Sequence, residues 1–325
     1  MDASRLRFLS LWAINGDLDT DRLKRQLKEL KDTGLEGIVF HPRFYPGNPP
    51  YMSDSYLDIV SDLILYARDL NMDFWIYDEN GWPSGTAGGQ VFARLPDSRC
   101  EWIEWRSGAD GNGQIVYLSK PALSSFDRRA TETFIALTHE RYREGLHAEA
   151  FDYVTGFFTD EVGFLDGHGV SVSKGGIPWH SSLPEAYRAR HGEALAPLLP
   201  LLFESGEGSG IVRVRYWELL TEALVEGFYQ PIQAWCEAHG KLFTGHLKAE
   251  ENPFFQLSYS GSCFQVLKGL TMPAIDALER HPGNNFYPRI VHSLAVQTGR
   301  EGCLVEAHGG SGWGASPESF TEYVL

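Results

Sequence analysis

Acidic side chains recur directly after short apolar runs in this sequence. The run FWIY is followed by Asp78 and Glu79, and the run FFT is followed by Asp160 and Glu161. The full set of such acids is Asp78, Glu79, Asp160, Glu161, Glu250, Glu251, Asp276 and Glu306. Paired carboxylates are the minimum apparatus for glycoside hydrolysis, in which a protonated acid donates to the leaving oxygen while an ionised one activates water or attacks carbon. Hydrolysis of a glycosidic bond is therefore the first chemistry that these residues indicate.

Other side chains that suit a sugar site lie in or directly after the same apolar segments. They are Trp12, Asn15, His41, Trp82, His246 and His308. Histidine can hydrogen-bond a ligand, and a Trp ring offers a flat apolar wall to a sugar. Each residue also has a structural interpretation: an acid can cap a helix, a histidine can be a hydrogen-bonded scaffold residue, and a Trp can fill the core or plug the rim. The residue types alone leave both interpretations open.

Seven apolar runs, several followed by helical spacing, predict the elements that position these residues. The runs cover 7–15, 35–44, 74–79, 153–161, 241–251, 263–276 and 303–310. Such alternation predicts a parallel α/β sheet, which a doubly wound fold and a (β/α)8 TIM-type barrel both satisfy. The barrel is favoured because no Gly-rich phosphate loop follows the first strand and because polar residues end nearly every strand. In a barrel those ends converge on one mouth.

An insertion and a missing strand modify this prediction. Short alternating segments around a Gly-rich turn predict an inserted β-hairpin within 94–125. The last helical pattern, 316–325, begins where a strand eight has still to follow. We therefore expect residues 1–325 to form a single catalytic barrel that is truncated before strand eight at its C-terminal end. A barrel without that strand has two unpaired edges.

The composition of the protein indicates which classes of partner it can bind. The formal net charge of −15 disfavours binding to nucleic acid, whose phosphates would be repelled. No apolar run approaches the roughly 18 residues of a membrane helix, and no signal peptide is visible. We therefore expect a cytoplasmic protein that does not enter a membrane. The four cysteines lack zinc-site spacing, and nothing in the sequence indicates an oligomeric state.

Five motifs, in this order, resemble glycoside hydrolase family 106. They are YDENGWPSGTAGG, FFTDE, GHLKAEE, TMPAID and VEAHGGSGWG, and the likeness runs from LWAIN to the last residues. Characterised members are α-L-rhamnosidases. The resemblance implies a (β/α)8 catalytic domain, inverting hydrolysis of terminal α-L-rhamnosides and a calcium ion near the sugar. This chain departs from the family in having Ala274 where glycine is expected, and family members are usually longer, with β-sandwich domains around the barrel.

The resemblance also implies roles for individual residues. The family uses two glutamates, and the matching positions are Glu161 in FFTDE and Glu250 in GHLKAEE. We assign Glu161 as general acid and Glu250 as general base, with Glu251 and Glu306 as alternatives to Glu250. The carboxyl groups of an inverting pair lie about 6.5–9.5 Å apart. The residues expected to bind sugar hydroxyls or calcium, which prefers hard oxygen ligands, are Asp78, Glu79, His246 and Asp276.

Two other functions stay open at this stage. One is a carbohydrate-binding remnant of the same barrel with impaired catalysis, and the other is a glycosidase for another sugar. An esterase or lyase is disfavoured because no GxSxG nucleophile motif occurs. In either open function the partner is a carbohydrate, and Trp82 would form a wall for the apolar face of a deoxysugar.

Overall fold

Ten strands are present in the computed structural model, which describes residues 6–107, 112–165, 175–278, 286–312, 314–316 and 318. They are β1 (Leu9–Ile14), β2 (Gly37–Pro42), β3 (Asp73–Tyr77), β4 (Arg99–Ser107), β5 (Gly113–Pro121), β6 (Gly156–Asp160), β7 (Ile177–Trp179), β8 (Leu242–His246), β9 (Met272–Ala277) and β10 (Leu304–Ala307). Seven of them form one parallel sheet in the order β1-β2-β3-β6-β8-β9-β10. Neighbours in this sheet follow one another along the chain, as expected for a barrel-type winding.

Helices connect consecutive strands of this sheet. They are α1 (Thr20–Asp32), α2 (Asp54–Asp69), α3 (Gln90–Arg94), α4 (Arg128–Leu137), α5 (His139–Gly145), α6 (Ala148–Tyr153), α7 (Leu183–His191), α8 (Pro200–Phe203), α9 (Ser209–Leu224), α10 (Gln230–Ala238), α11 (Pro253–Ser260), α12 (Cys263–Leu267) and α13 (Phe286–Thr298). The first two begin at capping residues, Asp19 and Ser53, whose side chains accept backbone N–H groups of the first turn. Within the described residues, no helix has the length and apolarity that a membrane span needs.

The interior of the sheet is filled by side chains from all seven strands. Val39, Trp75, Tyr77 and Phe158 form a buried cluster. The side chains that pack against this cluster come from the remaining strands: Leu9, Leu11, Leu242, Met272 and Leu304. One small cluster can touch every strand only if the sheet curls around it. Their neighbours along the strands, such as Phe40 and Phe157, face the other way into the larger core beneath the helices.

This curled sheet agrees with a TIM-like barrel that lacks one strand. The predicted alternation and strand order are observed, although the strands are shorter than the predicted runs; the sixth, for example, is Met272–Ala277 and is preceded by the short helix Cys263–Leu267. Strands β1 and β10 are the edges of the sheet among the described residues. The helix predicted at 316–325 lies almost entirely outside the described residues.

The hairpin predicted within 94–125 is present and belongs to a second sheet. Strands β4 and β5 pair antiparallel along their whole length, and β7 joins the other side of β4. The sequence analysis did not predict β7, because a three-residue strand has no periodicity to detect. The helical segment after β5 is divided at Thr138, whose backbone leaves the helical region between α4 and α5.

Replacing the interior Trp75 tests the curled sheet. Trp75 is 3% exposed, and Trp75→Ala would leave a cavity between strands. We expect the free energy of unfolding, measured by urea denaturation, to fall by about 3–5 kcal/mol. Phe254→Ala is the matched control because its ring is 63% exposed, and it should stay within about 0.5 kcal/mol of wild type. Similar small changes in both variants would contradict an interior filled from every strand.

Candidate active site

A layer of polar side chains covers the apolar interior at the carboxyl ends of the strands. Alternation along a strand places every second residue on the same face. His41 therefore follows Val39 inward, Tyr77 follows Trp75, and Glu306 follows Leu304. We call this layer the polar ring, and its members are His41, Tyr77, Asp160, His246, Asp276 and Glu306, one from each of β2, β3, β6, β8, β9 and β10. The sequence analysis named five of these six residues and missed Tyr77.

A buried histidine lies between two acids of the polar ring. His246 Nε2 is 2.9 Å from Glu306 Oε2 and 3.6 Å from Asp160 Oδ1. The hydroxyl of Tyr77 donates to the other oxygen of Asp160. Burial alone would lower the pKa of His246, but the charges of Asp160 and Glu306 outweigh burial and raise that pKa well above its ordinary value. The Nδ1 of His246 also lies 3.3 Å from the carbonyl of Leu247, so both ring nitrogens face acceptors, an arrangement that favours the protonated imidazole.

The pKa values of the acids in the polar ring are shifted in opposite directions. Burial raises the pKa of Asp160 to about 6 and that of Asp276 to about 7, against the attraction of His246. Burial also acts on Glu306, yet its hydrogen bond to His246, the charge of that imidazole and the charges of His41 and Arg43 hold its pKa below the ordinary value. Near neutral pH the site thus contains an ionised carboxylate beside one that readily holds a proton, which is the arrangement that acid and base catalysis needs.

Glu161 stands where β6 ends, next to the polar ring. Its backbone is in the left-handed region, with φ of 51°, and its N–H donates to the carbonyl of His246 at 3.3 Å. This conformation is uncommon for a residue with a Cβ and persists only where surrounding contacts enforce it. The side chain is 18% exposed, and its Oε2 lies 3.4 Å from Lys248 Nζ. Glu161 is therefore held in place and partly exposed, and its charge acts on the pKa values of Asp160 and Asp276.

Glu250 is buried behind the mouth. It is 0% exposed, and its two oxygens accept the backbone N–H groups of Leu247 at 2.7 Å and Asp276 at 2.9 Å. Burial raises its pKa to about 8. In this arrangement Glu250 joins the end of β8 to β9 and positions Asp276, whereas its neighbour Glu251 is exposed. A catalytic role for Glu250 stays a prediction, and the geometry favours Glu306 as the second carboxylate.

Asp78 and Glu79 organise the Gly-rich loop instead of lining the mouth. Both carboxylates are buried. Glu79 accepts the backbone N–H groups of Asn80, Thr86, Ala87 and Gly88 at 2.6–2.9 Å. Because Tyr77 points inward, the next residue along the chain points outward, toward the helices. The structure does not bring these two acids into the polar ring, and their direct contact with a sugar stays a prediction.

Ser84 joins this loop to the end of β6. Its hydroxyl donates to Asp78 at 2.6 Å and accepts the N–H of Asp160 at 3.0 Å, while its own N–H donates to the carbonyl of Asp160 at 3.0 Å. Three hydrogen bonds thus connect the loop, the buried acid and the strand that carries Asp160 and Glu161. The sequence analysis did not single out Ser84, because a serine in a Gly-Pro loop is common and its partners are far away in sequence.

The remaining predicted residues lie in different places. Trp82 is 39% exposed at the tip of the loop, with the Arg43 guanidinium 4.2 Å from its ring and the Phe44 ring at 4.8 Å. Asn15 is exposed and His308 is half-buried, each directly after a strand. Trp12 is buried on the outer face of β1, where it packs on Phe40. The structure does not bring Trp12 to the polar ring.

One group of three metal-ligating side chains is found among the described residues. The ligand atoms of His246, Asp276 and Glu306 lie within 4.8 Å of one another. Calcium prefers six to eight oxygen ligands, and this trio offers two carboxylates and one imidazole nitrogen. The trio alone therefore falls short of a calcium site, and calcium stays a prediction.

Comparison with solved structures shows the fold that this chain shares with other proteins. A rhamnosidase from Novosphingobium sp. PP1Y superposes with a TM-score of 0.61 over 94% of this chain and 52% of its own length, at 10% sequence identity. A beta-galactosidase from the psychrophilic Marinomonas ef1 superposes with a TM-score of 0.52 over 85% of this chain and 41% of its own, at 12% identity. This chain therefore spans about half the length of these proteins or less. No family model and no curated protein sequence matches it.

The buried carboxylate of Glu79 should stabilise the loop that it holds. In Glu79→Gln, only one side-chain oxygen remains to accept hydrogen bonds, and the amide N–H₂ faces backbone donors that lose their partner. We expect the free energy of unfolding to fall by about 2–4 kcal/mol, with faster proteolysis within the loop 80–89. Glu251→Gln, at an exposed position, should change neither measurement. Equal stability of both variants would contradict this role.

The raised carboxylate pKa values predict that stability falls as pH rises. A carboxyl whose folded pKa lies above its unfolded value binds more protons in the folded state, so its contribution is lost as pH rises from the unfolded pKa through the folded one. For Glu250, Asp276 and Asp160, with pKa values near 8, 7 and 6, this window spans about pH 4 to 8. We expect the free energy of unfolding in urea to fall by on the order of a few kcal/mol between pH 5 and pH 8.

A substitution at Glu250 shows how much of the change in unfolding free energy with pH comes from that residue. Glu250→Gln should be less stable than wild type at pH 5, because its amide nitrogen cannot accept one of the two backbone N–H groups that Glu250 accepts. Because the amide cannot ionise, the variant should lose less stability than wild type between pH 5 and pH 8. The exposed Glu251→Gln should retain the wild-type slope. A wild-type profile that rises from pH 5 to pH 8 would contradict the burial of these groups.

Proposed function

We propose that this protein is a glycoside hydrolase that cleaves terminal α-L-rhamnosides by an inverting, two-carboxylate mechanism. The observation that carries the proposal is the polar ring, in which neighbouring acids of opposite pKa shift stand at the carboxyl ends of parallel strands. The motif resemblance to glycoside hydrolase family 106 supports the choice of sugar. The fold shared with a rhamnosidase agrees with that choice.

Glu161 is the proton donor in this proposal. It is partly exposed, and the enforced backbone at φ 51° fixes its direction. A general acid has to reach the oxygen that joins the sugar to its leaving group. Unlike Asp160 and Glu306, Glu161 lies outside the polar ring, and unlike Glu250 it is partly exposed.

Glu306 is the general base. Its hydrogen bond to the cationic His246 keeps it ionised, and its side chain is 19% exposed. A base must be ionised to take a proton from water. Strands β8 and β9 lie between β6, which precedes Glu161, and β10, which carries Glu306. Inversion requires a water molecule between the two carboxylates, and the proposal assigns it to the space between these strand ends.

The rest of the mouth recognises the sugar. Asp276 offers a half-buried carboxyl group from the floor, and Trp82 offers an exposed apolar face from the loop. Tyr77 and His41 are buried beneath this floor and support it. A 6-deoxyhexose presents hydroxyls on one part of its ring and a methyl group on another, so both kinds of surface suit it. Calcium near the sugar stays a prediction for the mouth carboxylates; activity measured with added calcium and with EDTA tests it.

A glycosidase for another sugar is the second candidate. The shared fold with a beta-galactosidase favours it, because this sheet supports sites for more than one sugar. A panel of p-nitrophenyl glycosides, including the α-L-rhamnoside and the β-D-galactoside, distinguishes the two. Sugar binding without hydrolysis of any substrate in the panel would instead indicate a carbohydrate-binding remnant.

The two proposed roles predict different responses to the leaving group. In Glu161→Gln, hydrolysis of rhamnosides with poor, strongly basic leaving groups should fall by about 10³-fold or more, since these groups need the proton. The loss should be much smaller for α-L-rhamnosyl fluoride, whose leaving group needs little protonation. In Glu306→Gln, both substrates should lose activity to a similar extent because both need activated water.

The controls are Glu251→Gln and a folding check by circular dichroism. Glu251 is exposed outside the ring, so its variant should keep wild-type rates. Full activity of folded Glu161→Gln on every substrate would overturn its assignment as the acid. Loss in Glu250→Gln at wild-type stability, together with full activity of Glu306→Gln, would return the base to Glu250.

A further inference from the structure

An apolar cleft opens beside Glu161, on the side away from the polar ring. It has a volume of about 380 Å³. Its walls come from the Gly-rich loop, α3, the segment after β5, and α4, with Trp82, Phe92, Pro121, Leu123 and Phe228 as the main apolar side chains. The hairpin insertion thus supplies part of the wall, since Pro121 ends β5 and Leu123 follows it. A cleft of this size can hold one ring system of a small organic group.

Glu161 lines this cleft and directly follows Asp160 of the polar ring. It is the single charged side chain among the described residues that line the cleft, whereas Asp160, Asp276 and Glu306 do not line it. A general acid stands between the sugar that is cleaved and the group that leaves. If the sugar occupies the polar ring, the leaving group must extend into this cleft.

Four hydroxyl groups of the cleft wall already take part in hydrogen bonds within the protein. The hydroxyl hydrogen of Ser84 is donated to Asp78 at 2.6 Å, and that of Ser125 to the carbonyl of Gly163 at 2.5 Å. Ser124 and Thr86 use their hydroxyl oxygens to accept backbone N–H groups of Phe126 and Gly89. A second sugar would need many hydrogen-bonding partners, and this wall offers it few. Aromatic and aliphatic walls instead favour a flat apolar group.

We infer that this cleft is the leaving-group subsite and that it takes an uncharged, aromatic aglycone. The inference rests on the proposed function for its link to catalysis, and it goes further by naming the class of substrate: aryl rhamnosides rather than rhamnose-terminated oligosaccharides. The walls also disfavour an anionic leaving group, because their single charged side chain among the described residues is the acidic Glu161 and burying an unpaired anion there would be costly.

Two substrates that share the sugar and differ in the leaving group test this inference. The kcat/KM of p-nitrophenyl α-L-rhamnopyranoside reports on sugar and aglycone together, and that of α-L-rhamnosyl fluoride reports on the sugar alone. In Phe92→Ala, the kcat/KM for the p-nitrophenyl substrate divided by that for the fluoride should fall by about 10-fold. The kcat/KM for the fluoride itself should stay within about twofold of wild type. Leu123→Asp, which puts a charge in the wall, should lower the ratio further.

The controls separate this inference from the proposed function. Phe254→Ala removes an aromatic ring outside the cleft and should leave the ratio unchanged. Binding of 2-naphthol, followed by saturation-transfer NMR, needs no catalysis and should be seen with wild type and lost in Leu123→Asp. If the fluoride is not hydrolysed, the proposed function fails, and naphthol binding still decides whether the cleft takes an aromatic group.

Three results would overturn the inference. One is an unchanged ratio in both cleft variants while the fluoride is hydrolysed. Another is absence of naphthol binding to the wild-type protein. The third is faster hydrolysis of a rhamnose-terminated disaccharide than of the aryl rhamnoside, with the same fold-loss of kcat/KM for both substrates in Phe92→Ala. This result would assign the cleft to a second sugar.

Discussion

The cation of His246, held between Asp160 and Glu306, is the interaction on which the site depends. Three acids from neighbouring strands meet here with little solvent, and without a positive charge each would oppose the ionisation of the others. The imidazolium holds Glu306 ionised and limits the rise in pKa of the others. It thereby produces unequal carboxylates from chemically similar groups, and a hydrolase of this type needs that inequality.

The position of that cation follows from the curl of the sheet. Each strand alternates its side chains, so a curled sheet with an apolar interior necessarily presents another layer two residues further along. Where the strands end, that layer meets solvent and polar residues become tolerable. Trp75 and Phe158 fill the interior, and Tyr77 and Asp160 lie one step above them. The apolar cluster therefore serves as the floor on which the polar ring rests.

The sequence predicts the strands and their order well, and the roles of individual acids less well. Apolar runs ending in polar residues located all seven strands of the main sheet, because parallel strands buried on both faces leave a strong signal. The face on which each residue lies was harder to infer, since a shift by one residue reverses it. Tyr77 was missed and Asp78 was expected in the mouth, although they are adjacent in the chain. Glu250 shows the same limit, since its backbone partners Leu247 and Asp276 depend on tertiary structure that no local pattern records.

The stretch that follows Tyr77 explains how a loop can be both rigid and part of a site. Glu79 accepts hydrogen bonds from backbone N–H groups of the turn, and Ser84 joins Asp78 to the backbone of Asp160 by hydrogen bonds. The same loop exposes Trp82 to the mouth and lines the apolar cleft. Loop and strand end are therefore joined by hydrogen bonds at Asp160, the residue before Glu161. In the proposed mechanism the buried acids would act on the chemistry through this link, by fixing where Glu161 stands.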